Sequence, residues 1–256
     1  MSRVLVIGDV HEPVSHPGYL SFCKDLYEEW GCNEVIFIGD IVDWHAISSW
    51  VKEPNCPGPK DEYELSSIRV RKWYETFPNA KVCIGNHDER PERLAKTVSI
   101  PPCLLKDYNT VWNTSGWNWS YDFIVDDVYY YHGTSASSFQ AMHPAWNTMS
   151  KMLMSVVMGH YHSRAGIKWK ANPFKRIFGM DVGCGIDVTA WQFVYGKHIK
   201  ERPILSAGII IDGIPYHEVM PCSEGERYHK SRFLKRRPRG PNGSKKRKST
   251  RRRSKK

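Results

Sequence analysis

Over its first third the chain alternates short, continuous apolar runs with longer amphipathic stretches. RVLVIGD (3–9), EVIFIGD (34–40) and AKVCIGN (80–86) each break off at a glycine followed by Asp or Asn. Runs of that length predict strands buried on both faces. Between the first two, HPGYLSFCKDLYEEWG (16–31) predicts a helix opened near Pro17 and stopped at Gly31. In DEYELSSIRVRKWYETFP (61–78), Val70, Trp73, Tyr74 and Phe77 fall at i, i+3, i+4 and i+7. That spacing predicts a helix ended by Pro78. The order β-α-β-α-β implies parallel strands joined by helical crossovers.

The second half changes rhythm. WNWSYDFIV and VYYYHG flank Asp126-Asp127, and ILSAGIII and IPYHEVM flank Asp212-Gly213; both arrangements predict hairpins. Between them the pattern predicts a helix near 137–150 and then a strand, SVVM, running into Gly159-His160-Tyr161-His162. No internal repeat is present. From Leu234 onward Pro, Gly, Ser, Lys and Arg dominate, and a segment so poor in apolar residues cannot offset its ordering entropy. The expected organisation is a globular domain over 1–233 and a disordered basic tail over 234–256.

The reactive residues fall at one kind of place. Asp9 and His11, Asp40 and Asp43, Asn86 and His87, His132, and His160 and His162 each follow an apolar run. Each cluster therefore stands at the carboxyl end of a strand, the edge at which open α/β sheets bind ligands. A lone pair such as His160 and His162 is ordinary in a surface strand, and Asp or Asn often serves as a cap or turn. Five strand ends carrying such residues on one rim call for a different explanation, a two-metal site. Asp9 and His11 can grip one ion from the same side, and Asp40 can bridge two through its two oxygens. Asn86, His132, His160 and His162 complete the shells. Only two of these ligands are anionic, so two divalent ions leave a local charge near +2, suited to a phosphate ester. Ions about 3.5–4 Å apart can hold a bridging hydroxide as nucleophile and clamp the phosphoryl oxygens. A mixed N/O donor set without thiolate favours Mn²⁺, Fe, Zn²⁺ or Ni²⁺ over soft metals, and affinity order alone does not choose among them; the expected pair of divalent ions is Mn²⁺ first, with Fe, Zn²⁺, Ni²⁺ or Mg²⁺ as alternatives. His87 is placed to protonate the leaving oxygen or steady its charge. Asp43 either orients that imidazole or caps the following segment.

GDVH, GDIVD, GNHDE, YHG and GHYH, in that order, resemble the motif series of the calcineurin-like metallophosphoesterases. The resemblance spans residues 8–162 at its motifs. It implies an α/β fold, a four-layer αββα sandwich of two mixed sheets flanked by helices, with the hairpin-rich remainder supplying the second sheet. It also implies one metal held by Asp9, His11, Asp40 and His162, and another held by Asp40, Asn86, His132 and His160. His87 is then the catalytic histidine, paired to Asp43. No ligand of the series is missing, so the inactive scaffold members of the family are a poor template. Protein Ser/Thr phosphatases of this group carry an arginine directly after the second aspartate of GDIVD; here that residue is Trp44.

For substrate contacts the loop 44–60 offers Trp44, Trp50 and Lys52 as a platform for a base, the alternative being tryptophans packed over the sheet edge. His45 is within reach of a substrate on the same loop. Arg90 and Arg93 are candidates to grip a phosphate, or else pair with Glu89 or Glu92. Trp112, Trp117 and Trp119 are read as core.

Composition divides the molecule. The chain of 256 residues carries a formal +10, yet residues 1–226 hold 21 Lys and Arg against 27 Asp and Glu, a net of −6. The remainder has 16 basic residues and no acidic one, and 13 of the 22 residues from Lys235 to Lys256 are Lys or Arg. Such a block reads as a nucleic-acid arm, a localisation signal or a solubilising tail. Joined to a phosphoesterase site, the arm points to a phosphodiesterase acting on nucleic acid or nucleotides. A phosphomonoesterase of proteins or metabolites is the first alternative, and a non-catalytic nucleic-acid-binding module the second. Seven cysteines without a CxxC pair argue against a disulfide framework and fit a reducing compartment. No apolar run approaches the roughly 20 residues of a membrane span, and MSRVLVIGD enters a strand with no signal-peptide pattern. The expected location is the cytoplasm, the host's if the source is viral.

Overall fold

The structure, a computed structural model, describes residues 2–49, 52, 54–134, 143–187, 190 and 201–221. The basic tail, Trp50, Val51 and the early part of the helix expected over 137–150 lie outside these residues. Along the chain run β1 (Arg3–Ile7), α1 (Tyr19–Glu29), β2 (Glu34–Phe37), α2 (Pro59–Thr76), β3 (Ala80–Cys83), α3 (Arg90–Thr97) and α4 (Tyr108–Trp112). Then follow β4 (Trp117–Ser120), β5 (Asp122–Val125), β6 (Val128–Tyr131), α5 (Pro144–Met152), β7 (Ser155–Met158), β8 (Gly166–Ala171), β9 (Arg176–Asp181), β10 (Ser206–Ile211) and β11 (Ile214–Val219). None of the described helices is long and apolar enough to cross a membrane.

Two sheets face each other. The first has the order β11-β10-β1-β2-β3-β4, and the second β5-β6-β7-β9-β8. In the first, β1, β2, β3 and β4 run parallel, with β10 antiparallel against β1. In the second, β6, β7 and β9 are parallel. The period of two sorts each strand between two cores. Leu5, Ile7, Val35 and Phe37 pack with Phe22 and Leu26 of α1 and Val70 and Trp73 of α2. Val4, Val6, Ile36 and Ile38 turn the other way and meet Tyr130, Val157, Phe178 and Met180 of the second sheet. The outer face of that sheet packs Tyr131, Val156, Met158 and Ile177 against Ala145 and Met149 of α5. The layers therefore read helix, sheet, sheet, helix, the αββα sandwich.

Local signals explain most boundaries. Gly31, at φ +58, releases the chain after α1. Pro59 opens α2 with Asp61 and Glu62 in its first turn, where acidic groups favour the helix dipole. Asp126 and Asp127 both adopt positive φ, as do Asp212 and Gly213, the backbone of a two-residue hairpin turn.

Two expectations need correction. WNWSYDFIV is not one strand: Trp117–Ser120 pairs parallel with β3 in the first sheet, while Asp122–Val125 pairs with β6 in the second. The chain changes sheets at Tyr121, which an unbroken apolar rhythm conceals. The β10–β11 hairpin extends the first sheet rather than supplying the second. Its place is taken by β8, whose basic, largely exposed sequence carries little strand signal, and by β9, which is buried from Ile177 to Asp181.

Candidate metal centre and active site

The parallel strands of both sheets end on one rim. Asp9, Asp40 and Asn86 follow β1, β2 and β3; His132, His160 and His162 follow β6 and β7. The sheets are tied there: His132 Nδ1 donates to Ile38 O at 3.1 Å, and His160 N–H donates to Asp9 Oδ2 at 2.8 Å. Tyr19 steadies the β1 end, accepting from Gly8 N at 3.1 Å and donating to Ser206 O at 2.7 Å. The motif glycines are steric necessities. A Cβ on Gly85 would collide with the Asp40 carboxylate, and one on Gly159 with that of Asp9. His11, Asp40 and His160 take φ values of 53, 49 and 70, a region that β-carbons disfavour and that persists only where surroundings impose it.

All seven predicted ligands come together. One group comprises Asp9, His11, Asp40 and His162, and another Asp40, His132 and His160. His162 Nε2 lies 3.1 Å from Asp9 Oδ2 and 3.1 Å from His11 Nε2. His132 Nε2 lies 3.1 Å from Asp40 Oδ2, 3.0 Å from Asn86 Oδ1 and 3.3 Å from His160 Nδ1. Asp40 belongs to both groups through one oxygen: Oδ2 faces His11 and His132, while Oδ1 accepts from His87 N at 2.8 Å, so the expected bridge through both oxygens is not the arrangement found.

The donor set fits divalent cations. His11 donates from Nδ1 to Asp43 and His132 from Nδ1 to Ile38 O, so each presents its Nε2 lone pair to the cluster, the usual arrangement of ligating histidines. Asp9 is buried and its Oδ1 has no hydrogen-bond partner, a polar atom that a cation would satisfy. The electrostatics agree. Burial opposes a charge on His11, yet Asp40 and Asp43 push its imidazole up to about 10. Burial likewise opposes charge on His132, which Asp40 and Asp9 push up to about 9. Burial would raise Asp40, but His132, His87 and His11 hold its carboxyl well below the usual range. His160 goes the other way, lowered to about 4 by burial and then by His132. The carboxylates thus demand positive charge inside a buried pocket.

His87 stands beside this cluster, its Nδ1 2.7 Å from Asp43 O and 3.2 Å from Asp43 Oδ1. Asp43 also serves His11, whose Nδ1 is 2.8 Å from the same Oδ1. Arg90 does not pair with Glu89 or Glu92. Its Nη1 donates to Asp43 O and Trp44 O, both at 2.8 Å, and its Nη2 lies 3.2 Å from His87 Nε2. Arg93 donates to Asn86 O at 2.7 Å. A cleft of about 360 Å³ opens against Asn86 and His87, with Ser48, Arg93, Leu94 and Thr97 among its walls. Trp44 packs beside Tyr63 and Trp112, against the core, so the stacking platform expected of it is turned into the protein. Trp112 and Trp117 are core, as read; Trp119 stacks on Tyr108.

Three buried carboxylates had no role in the sequence reading. Glu62 of α2 accepts from His45 N and Ala46 N, each at 2.7 Å, and so fixes the loop after Asp43 and the place of His45. Asp88 accepts from Ile41 N at 3.0 Å and Gly85 N at 2.9 Å, joining the GDIVD and GNHD loops. Burial, then the Asp40 charge, pushes Asp88 up to about 7. Glu12 takes Ser15 Oγ and Trp73 Nε1 at 2.8 Å each, anchoring the segment after His11 to α2. The one available signal was their position: Glu12 and Asp88 adjoin His11 and His87 in sequence.

A cation-binding histidine–aspartate cluster on the rim of an αββα sandwich defines a metal-dependent phosphoesterase. The chain belongs to the calcineurin-like phosphoesterase family, whose model matches residues 2–185. It is similar to the Gene 54 protein of Mycobacterium phage D29, at 22% identity over 82% of this chain and 97% of that protein. Among solved structures it is similar to vacuolar protein sorting 29 of Cryptosporidium parvum, at 12% identity and TM-score 0.44 over 85% of this chain and 96% of that one. A putative diadenosine tetraphosphatase gives 17% identity and TM-score 0.42 over 85% and 93%. The E. coli phosphoesterase YfcE gives 12% and 0.39 over 82% and 88%.

Proposed function

We propose that this protein is a binuclear metal-dependent phosphodiesterase acting on nucleic acid or nucleotides. The observation that carries the reading is the seven-ligand rim, in which two carboxylates and one carboxamide share the cluster with four imidazoles. Such a centre keeps positive charge for a phosphate ester. Asp9, His11, Asp40 and His162 would hold one ion, and Asp40, Asn86, His132 and His160 the other. Bound divalent ions supply Lewis-acid polarisation of the phosphoryl oxygens and activation of the attacking water, Mn²⁺ being the first choice. The protein's own groups do the rest. Asp43 holds the His87 ring beside the cluster; His87 Nε2, which accepts from Arg90 Nη2, exchanges that contact for a proton before it protonates or steadies the leaving oxygen. Arg90 Nη2 stands at the same place and adds charge stabilisation. The cleft beside Asn86 and His87 gives the leaving group room, with Arg93 on its wall.

The preference for diesters rests on the partly exposed His87 and His162 side chains, at 21% and 26%, and on the basic tail. A polymer can lie across such a rim while the tail neutralises its backbone. The test is cleavage of single-stranded DNA and RNA by the metal-loaded chain and by a chain ending before Leu234. Truncation is expected to weaken polymer cleavage at moderate salt and to spare a small diester. Equal polymer cleavage and an equal salt response in both chains would remove the tail from the account.

A further inference from the structure

The charge of the folded part is not evenly spread. Between Asp127 and Asp181 there is no acidic residue, while Lys151, Arg164, Lys168, Lys170, Lys175 and Arg176 all fall there. Four of them lie on or beside the β8–β9 hairpin, and β8 is an edge strand of the second sheet. Lys168, Trp169 and Lys170 are exposed, and Phe174, in the turn, is 97% exposed. Among the described residues, Lys168, Lys170 and Arg176 have no carboxylate partner, whereas Arg164 pairs with Glu201.

Lysines on an edge strand are an ordinary guard against edge-to-edge pairing. That purpose does not call for a Phe held out in water. Here the turn is built to hold it: Asn172 Oδ1 accepts from Phe174 N at 2.9 Å and Lys175 N at 2.8 Å, and Asn172 N donates to Lys175 O at 2.9 Å. Arg176 lies 4.7 Å from the centre of the Trp169 ring, which in turn meets Phe178. The guanidinium is thereby fixed in place. An exposed aromatic ring at the end of a strand that carries two lysines on one face offers what single-stranded nucleic acid needs: stacking for bases, cations for phosphates.

We infer that the β8–β9 hairpin is a docking surface for single-stranded nucleic acid, with Phe174 as its stacking residue and Lys168 and Lys170, which share the face of β8 opposite Trp169 and Arg176, as its phosphate contacts. β8 starts four residues past His162 and runs away from the rim for about 20 Å at strand rise, so a bound strand extends from the site. The inference goes beyond the reading above, because it holds whether or not the bound polymer is cleaved.

The test is fluorescence anisotropy of a short labelled oligothymidylate with the full chain in chelator, where turnover is excluded. Phe174→Ala is expected to weaken binding about tenfold with an unchanged salt slope, the mark of a lost stacking contact. Lys168→Ala/Lys170→Ala is expected to lower the log–log salt slope by about 1.4. Phe174 buries almost nothing, so its loss leaves the fold intact, and the tail is common to all variants. Absence of oligothymidylate binding, or Phe174→Ala binding like wild type at every salt concentration, overturns the inference. So does heparin binding that falls equally in Phe174→Ala, since heparin has no bases to stack. Binding retained without any diester turnover would sink the reading above and leave this one standing.

Discussion

Asp43 Oδ1 lies 2.8 Å from His11 Nδ1, and the same oxygen is 3.2 Å from His87 Nδ1. One carboxylate thus orients a metal ligand and the proposed acid together. Its burial would raise its pKa, but the two imidazoles hold it well below the usual range. Asp43→Ala should therefore weaken metal binding about 10–100-fold, as loss of a ligand's outer partner does, and lower kcat by about 10²-fold or more. His87→Ala should lower kcat alike with metal affinity intact. Calorimetric metal titration beside steady-state kinetics separates the two; an Asp43→Ala protein with wild-type metal affinity would break the link to His11.

Asp9 is buried with an unpartnered oxygen, a cost that a bound cation removes. Mn²⁺ at about 100 times its Kd should stabilise the protein by about 2.7 kcal/mol, or roughly 5–10 °C in Tm at this size. Asp9→Asn should abolish most of that rise and leave the chelated protein no less stable. Thermal melts with and without Mn²⁺ read both outcomes. A full Mn²⁺ shift in Asp9→Asn would exclude Asp9 as a ligand.

Glu62 satisfies two backbone N–H groups of the loop that carries His45. Glu62→Ala strands both, at about 1–3 kcal/mol each, and lets Asp43 drift. A fall in Tm should accompany a fall in kcat, with Glu62→Gln, which keeps one acceptor, lying between. Wild-type kcat in Glu62→Ala would show that the loop needs no such support.

These dependencies mark the limit of what was legible beforehand. The metal rim could be read because each ligand has to follow a strand, and an apolar run ending in Gly-Asp, Gly-Asn or His-Gly announces that place locally. Glu62 could not, since it acts from a helix on a loop distant in sequence, and nothing in PKDEYELSS distinguishes it from a solvated acid. The double service of Asp43 was half legible: its pairing with His87 was expected and its bond to His11 was not. The αββα layering came through the motif series, while the sheet change at Tyr121 and the β8–β9 pair did not. Apolar rhythm tells that a strand exists, and only tertiary packing tells which sheet it joins.

Asp181 supplies a pH test outside the ligand set. It is buried at the end of β9, accepts Ala145 N at 3.1 Å, and burial pushes its carboxyl up to about 7. The folded chain keeps a proton that the unfolded chain releases from about pH 4. Stability therefore falls as pH rises from about 4 through 7, and the penalty is complete above 7. Asp181→Asn keeps the acceptor without the charge, so it should raise Tm at pH 8 by roughly 8–16 °C, for about 4 kcal/mol, and change little at pH 4. An equal gain at both pH values would assign the effect to something other than titration.

Metal-dependent diester hydrolysis with His87 beside the leaving group is the activity that this site should show. It is tested most directly by turnover of bis-p-nitrophenyl phosphate against p-nitrophenyl phosphate, using Mn²⁺-loaded wild type and His87→Ala. The predicted result is a clear preference for the diester, abolished by chelation and lost in His87→Ala with Mn²⁺ still bound. A preference for the monoester would contradict it and make the protein a phosphomonoesterase.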